Sequence, residues 1–354
     1  MIRNSHSEER SGALIVGNFL YSSRGIRSIC EDLAARLSEA GWPIITTSKY
    51  PGRIARLVDM MTTVWRQKQR YKVAQVDLYS GPAFIWAEAV CWFLRRIGKP
   101  YILTLHGGDL PAFARRYPRR VRYLLNSAAV VTTPSSYLLE HLRFCRRDIR
   151  LLPNPFDLSA YEFRLRSSPR PRLVWLRTFH SLYNPLLAAK VLAELVPSFP
   201  DAQLLMLGPA KDESVLQRFN QLATDLGVAD RIQIAGGIPK SDVSNWLNQG
   251  DIFLNTTNVD NTPVSVMEAM ACGLCVVSTS VGGISHLLEN GHDALLVPAN
   301  NPEEMAAAVR RLLSEPLLSQ QLSKNGRKKV DAFDWSVLLP QWEELFATLV
   351  KFQR

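Results

Sequence analysis

The chain of 354 residues is poor in cysteine, with Cys30, Cys91, Cys145, Cys272 and Cys275 scattered along it. So few thiols do not frame a disulfide-stapled fold, and a reducing cytoplasm is the expected setting. Cys272 and Cys275 form a lone C-x-x-C without a second pair, so both read as packing residues rather than metal or redox ligands. No apolar run reaches the ~18 residues that span a bilayer. The strongest stretch, residues 83–94, contains Glu88 and reads as a buried helix of an α/β layer. Residues 1–11 are polar and charged, so no signal peptide is expected. Internal repeats, low-complexity tracts and nucleic-acid-binding motifs are all missing, and no nucleic acid partner is expected.

Acidic residues are scarce in one half only. Residues 1–165 carry 25 Lys and Arg against 13 Asp and Glu, whereas residues 166–354 carry 17 against 19. The net +10 therefore lies wholly in the first half. Arg53, Arg56, Arg66, Lys68, Arg70 and Lys72 accompany Leu57, Met60, Met61, Val64 and Trp65 in one helical pattern. Arg115, Arg116, Arg119, Arg120 and Arg122 interleave with Tyr117 and Tyr123. Two readings fit, an anionic membrane surface or a solvated basic face.

What is present is a repeated β-α alternation. Apolar strand-like runs fall at residues 13–20, 43–47, 76–79, 101–105, 129–133 and 149–152, with helical patterns between them. A helix over residues 26–40 stops at Gly41. Serine, proline and charge at residues 159–171 read as a linker. A second series follows at 172–176, 203–207, 232–235, 252–255, 276–278 and 295–298, and a helical pattern closes the chain at 335–351. Two mainly parallel sheets result, hence an α/β chain of two Rossmann-like domains. The expected division is 1–160, 170–334 and a closing segment 335–354.

The most informative stretch runs from Asn258 to Gly273. A strand ends before it, Asp260 follows, Thr262 suits a helix N-cap and Pro263 the first helical position. The N–H groups of Val264 and Ser265 then lie unpaired at a positive helix end, which favours phosphate. Glu268 sits more than a turn further on. This Asp260-x7-Glu268 run, followed by Ala-Met-Ala-Cys-Gly and Val281-Gly282-Gly283-Ile284, resembles the E-x7-E signature of family-4 retaining glycosyltransferases. Asp260 is one methylene shorter than the usual Glu.

The resemblance implies the GT-B fold, two Rossmann-like domains facing a cleft, with the last helix returning to the first domain. It implies a nucleotide-sugar donor, no cofactor and no metal; no Asp-x-Asp triplet is present. Glu268 would bind ribose hydroxyls, Asp260 the donor sugar, and Arg177 with Val264 and Ser265 the diphosphate. His106, in His106-Gly107-Gly108-Asp109 at a strand end, would bind the sugar near the reaction centre. Asn261 and Thr262 belong to the same donor loop. Gly25 closes the first βα loop where the family often has two glycines, Arg24 replacing the first. Ile238, in Gly236-Gly237-Ile238-Pro239-Lys240, would lie at the nucleobase. The family's diphosphate-binding Lys, five or six residues after Arg177, is missing: Leu182-Tyr183-Asn184-Pro185 stands there. Asn184 or Tyr183 could donate instead, or Lys211 could reach in. Gly282-Gly283-Ile284-Ser285-His286 departs from the family's Pro-Glu.

The expected activity is transfer of a sugar to a glycan or lipid-linked acceptor in cell-surface polysaccharide or lipopolysaccharide assembly, in the cytoplasm or peripherally at the inner face of the membrane. A non-catalytic GT-B scaffold partnering an active transferase remains an alternative, and a sugar-nucleotide epimerase a third.

Overall fold

The structure is a computed structural model describing residues 11–19, 28–260 and 263–351. The calls on Arg24, Gly25, Asn261 and Thr262 lie outside the described residues. The chain divides into two units. The first runs through Pro155 and resumes at Trp335; the second is Phe156–Asp334.

In the first unit, β1 (Ala13–Val16), β2 (Ile44–Thr47), β3 (Val73–Leu78), β4 (Tyr101–Leu105), β5 (Val130–Thr133) and β6 (Arg150–Leu151) pair in parallel in the order β2-β1-β3-β4-β5-β6. The helices are α1 (Ile29–Glu39), α2 (Arg53–Arg66), α3 (Pro82–Arg96), α4 (Leu110–Arg116), α5 (Pro118–Ser127) and α6 (Ser136–Leu142). Ser28 starts α1 with a capping box, its N–H donating to Glu31 at 2.8 Å. The strand order reverses direction around β1. Right-handed crossovers therefore send α1 to one face and α2 to α6 to the other. Two separate cores record this split. Leu33 and Leu37 of α1 pack with Trp342, Phe346 and Leu349 of the closing helix, while Met60, Val64, Phe84, Val90 and Leu94 pack with α4 to α6.

In the second unit, β7 (Arg172–Leu176), β8 (Gln203–Leu207), β9 (Ile232–Gly236), β10 (Ile252–Asn255), β11 (Cys275–Thr279) and β12 (Leu295–Val297) pair in parallel in the order β12-β11-β10-β7-β8-β9. Its helices are α7 (Pro185–Leu195), α8 (Glu213–Asp225), α9 (Val243–Leu247), α10 (Val264–Ala271), α11 (Ile284–Leu287), α12 (Pro302–Ser314) and α13 (Pro316–Asp331). The closing helix of the first unit is α14 (Trp335–Lys351). Successive strand residues feed opposite cores: Leu173 and Trp175 join the α7 side, Val174 and Leu176 the α10 side. The order reverses between β7 and β10, so loops after these two neighbours open at a topological switch point.

Three expectations are corrected. Residues 159–171 are no free linker. Arg166 is 2% exposed and donates to the carbonyls of Cys272 and, at 3.0 Å, Gly250, binding the segment into the second unit. The helix at 83–94 is buried on one side only, because Ile85 and Trp92 point outward. Arg56 belongs to no basic surface: it is buried, donating to Asn18 at 2.8 Å and to the Tyr50 carbonyl at 3.1 Å. Cys272 and Cys275 are buried, and burial pushes their thiols up to about 11 and about 12, which keeps them protonated and inert. Among the described residues no helix is long and apolar enough to cross a membrane.

Candidate functional site

At the switch point of the second unit, Arg177 follows β7 and its N–H donates to the Leu207 carbonyl at 2.9 Å. Its Nη2 is ion-paired with Asp260 Oδ2, and both side chains are largely buried. The guanidinium lies over the Tyr183 ring, 4.8 Å from its centroid. That ring is held in place by the β10 loop. Thr256 Oγ1 donates to the Tyr183 carbonyl at 2.7 Å, and the Asn258 N–H to the Leu182 carbonyl at 2.8 Å. Arg177 Nε is buried without a hydrogen-bond partner.

Two glycines make this approach sterically feasible. Gly208 has φ +131°, and a Cβ there would lie 1.9 Å from the Arg177 carbonyl oxygen. Gly282 has φ +53°, and a Cβ there would lie 2.3 Å from the Asp260 carbonyl oxygen, which accepts from the Gly283 N–H at 2.8 Å. Gly282 and Gly283, just before the departure at Ser285 and His286, thus support the Asp260 loop. His286 is exposed on the short helix beyond it.

Helix α10 begins at Val264, one residue later than expected. Pro263 is extended, with ψ 113°, and occupies the N-cap position. Proline offers no capping oxygen, so the Val264 and Ser265 N–H groups have no partner among the described residues. Ser265 Oγ is also buried and unpartnered. Glu268, 7% exposed, accepts from the Tyr161 hydroxyl at 2.7 Å. Burial raises its carboxyl above the ordinary range, opposed by the Tyr161 hydrogen bond and then by the charges of Lys240 and Arg177. Burial, then the Glu268 charge, pushes the Tyr161 hydroxyl up in turn.

The remaining donor-side expectations separate. Asn184 is a loop brace. It sits at φ 46°, and its amide donates to Asn300 at 2.8 Å and Asn258 at 3.5 Å, so neither amide hydrogen is left over. Lys211 is exposed beside Ala210, which pairs with Phe179 two residues after Arg177. Ile238 is half-buried against the α10 core.

In the first unit, His106 follows β4, its N–H donating to the Leu78 carbonyl at 2.8 Å. Its Nε2 is 3.2 Å from Asp77 Oδ1, and its ring stacks on Tyr79 at 5.1 Å. Asp77 Oδ1 also accepts from Gln75 Nε2 at 2.7 Å. Beside this group, a cavity of about 170 Å³ opens among Asn18, Arg56, Asp77, Tyr79 and Trp86.

The description "Glycosyltransferase Family 4" matches residues 25–160, and "Glycosyl transferases group 1" matches residues 164–329. The chain belongs to glycosyltransferase family 4. It is 25% identical over 268 residues to a D-inositol 3-phosphate glycosyltransferase of Paenarthrobacter aurescens, covering 71% of this chain and 65% of that relative, less than two thirds of its length. A sucrose-phosphate synthase from Thermosynechococcus elongatus shares 18% identity with TM-score 0.73, over 96% of this chain and 99% of that one. Anabaena Alr3699/HepE, solved in complex with UDP and glucose, shares 16% identity with TM-score 0.71, over 96% and 100%. These likenesses show the fold, GT-B.

In this family-4 chain, the structure brings Arg177, Asp260, Val264, Ser265 and Glu268 to one switch point. Sequence reasoning missed Asp77, Tyr79 and Tyr161. Asp77 had a signal, a carboxylate at the end of the apolar run Val73–Leu78. Tyr161 had none, because only the tertiary fold brings it to Glu268.

Proposed function

We propose that this protein is a retaining glycosyltransferase that moves a sugar from a nucleoside-diphosphate donor to an anionic or lipid-linked glycan acceptor in cell-surface polysaccharide assembly. The observation that carries the reading is the switch point of the second unit. Two N–H groups uncapped among the described residues, a buried unpartnered hydroxyl and a guanidinium with a spare Nε occur there beside two carboxylates. Such donors at a helix start suit an oxyanion-rich ligand. Arg177, Val264 and Ser265 would hold the diphosphate and stabilise its charge as it leaves. Glu268 Oε1 is taken by Tyr161, which leaves Oε2 for a ribose hydroxyl. Asp260 orients the donor sugar. His106, steadied by Asp77 and Tyr79, serves the sugar at the reacting carbon. A phosphate oxygen of the donor takes the acceptor proton as the acceptor attacks the face the diphosphate leaves, so configuration is retained. The cavity beside Asp77, walled by Trp86 and Tyr79, suits an acceptor sugar, and the basic first half suits an acceptor carrying phosphate or carboxylate.

Metal has no assigned role, so turnover is expected to persist in excess chelator. Loss of turnover in chelator with rescue by Mg²⁺ or Mn²⁺ overturns that point. The first test is a thermal-shift screen against UDP-, GDP- and ADP-sugars, repeated on Glu268→Ala. The expected result is a rise with one base that vanishes in the variant. A second reading, a non-catalytic scaffold, rests on the missing second cation near Tyr183 and on the Arg177–Asp260 pair. No shift with any donor would favour it.

A further inference from the structure

The outer surface of the first unit's helix layer is not what a solvated surface needs. On α2, Ile54 (81% exposed), Val58 (55%), the half-buried Met61 and Trp65 (49%) follow the spacing i, i+4, i+7, i+11, a single stripe. Ile85 (53%), Ala89, Trp92 (49%) and Arg96 repeat that spacing on α3. The two stripes are joined. Trp65 stacks on Phe93 at 5.6 Å, and Trp92 lies 6.3 Å from the same ring. Each tryptophan carries a cation, Lys68 Nζ 3.5 Å from the Trp65 ring and the Arg96 guanidinium 5.2 Å from the Trp92 ring. Residues 53–146, which hold this helix layer, contain sixteen Lys and Arg against five Asp and Glu. Of the acids of α2 and α3, Glu88 is paired with Arg120, while Asp59 accepts from the Thr47 hydroxyl and keeps its charge.

We propose that this face of α2 and α3 docks on an anionic lipid bilayer, with Trp65 and Trp92 at the headgroup level, Ile54, Val58 and Ile85 entering the acyl boundary, and Lys68 and Arg96 on lipid phosphates. Each component points to a bilayer. Tryptophan's ring and N–H suit the boundary between water and hydrocarbon. Aliphatic side chains at the outermost positions gain nothing from a nucleic acid but do gain from hydrocarbon. Cations well in excess of acids match an anionic leaflet. Among the described residues no helix is long and apolar enough to cross the bilayer, and the proposed contact needs none. The docking face deepens the lipid-side part of the acceptor reading above, but it needs no donor chemistry.

The test is co-sedimentation of the full chain with vesicles of phosphatidylcholine alone or with phosphatidylglycerol. Nucleotide-sugar thermal shift is measured on the same samples, so that a failure of the donor reading and a failure of docking show separately. The expected result is preference for the anionic vesicles. Trp65→Ser with Trp92→Ser should weaken binding at least about tenfold with the melting temperature kept. Lys68→Gln with Arg96→Gln should weaken it about thirtyfold at low salt. Ile54→Ser with Val58→Ser is a second apolar variant should the tryptophan pair fail to fold. Equal binding to both vesicle types overturns the proposal. So does anionic binding that survives both apolar variants, which would be a charge effect alone. A concentration-dependent dimer that the tryptophan variant abolishes, without vesicle binding, would assign the face to a second copy and also overturn it.

Discussion

Tyr161→Phe removes one hydroxyl and tests the electrostatics of the second unit. Glu268 is buried and accepts from Tyr161 at 2.7 Å, and this bond is the largest influence holding its carboxyl down against burial. A hydrogen bond to a charged group is worth about 1.5–3 kcal/mol, a neutral one about 0.5–1.5 kcal/mol. The wild-type Glu268 carboxyl is already raised on folding. Its stabilising contribution is therefore complete below the unfolded-state pKa and is lost as pH rises through the folded-state pKa. Without the hydroxyl, the folded-state pKa rises further, and the loss grows on the alkaline side. The variant should consequently be penalised more near neutrality than in acid. For a unit of this size, about 2–4 °C accompanies each kcal/mol, so the midpoint should fall by roughly 3–12 °C at about pH 8 and by roughly half that or less at about pH 5. Thermal unfolding of wild type and variant at the two pH values reads this directly. An equal loss at both would refute the reasoning, because the hydroxyl would then not be serving a carboxylate.

Four further outcomes are expected. Arg177→Lys keeps the charge but loses the planar fork and the Tyr183 stack, and donor affinity measured by calorimetry should fall about tenfold or more. Gly282→Ala places a Cβ against the Asp260 carbonyl at positive φ, costing about 1–3 kcal/mol in denaturant melts and lowering turnover through Asp260. His106→Gln should cut kcat about a hundredfold while donor affinity stays unchanged. Asp77→Asn, which acts through His106, should lower kcat less.

Much of the fold was legible because both sheets are parallel and buried on two faces. Such strands are short continuous apolar runs, and all twelve fall on runs visible in the sequence, with ends differing by a few residues. The helix start after β10 was legible in Pro263 and in the spacing to Glu268, although Pro263 proved to sit before the helix rather than in it. Side chains whose roles depend on distant partners were not legible. Arg56 and Arg166 look like surface cations in sequence, yet the fold buries both against carbonyl and amide oxygens. Tyr161 lies in a segment that reads as linker by composition, and the amide of Asn184 is consumed by Asn300, 116 residues away. Composition reports average exposure; it does not report which loops a switch point gathers.

The missing lysine near Tyr183 weighs less in the structure than in the sequence. Arginine has five N–H donors in a fixed fork, and the Asp260 contacts use only part of the Arg177 set. Nη2 is committed to Asp260 while Nε remains buried and unpartnered. Part of the Arg177 donor set is therefore not spent on the Asp260 pair. The Tyr183 ring, where the family has its lysine nearby, lies under the guanidinium and fixes its plane. On the proposed reading, the substitution trades a second point charge for orientation of the first, supplemented by the Ser265 hydroxyl and the α10 N–H groups that are uncapped among the described residues. Oriented donors in a buried site act on charge as it develops and need no rearrangement at the moment of departure. A scaffold that never met an oxyanion would gain nothing from keeping buried donors unpaired, each at a cost to its own stability.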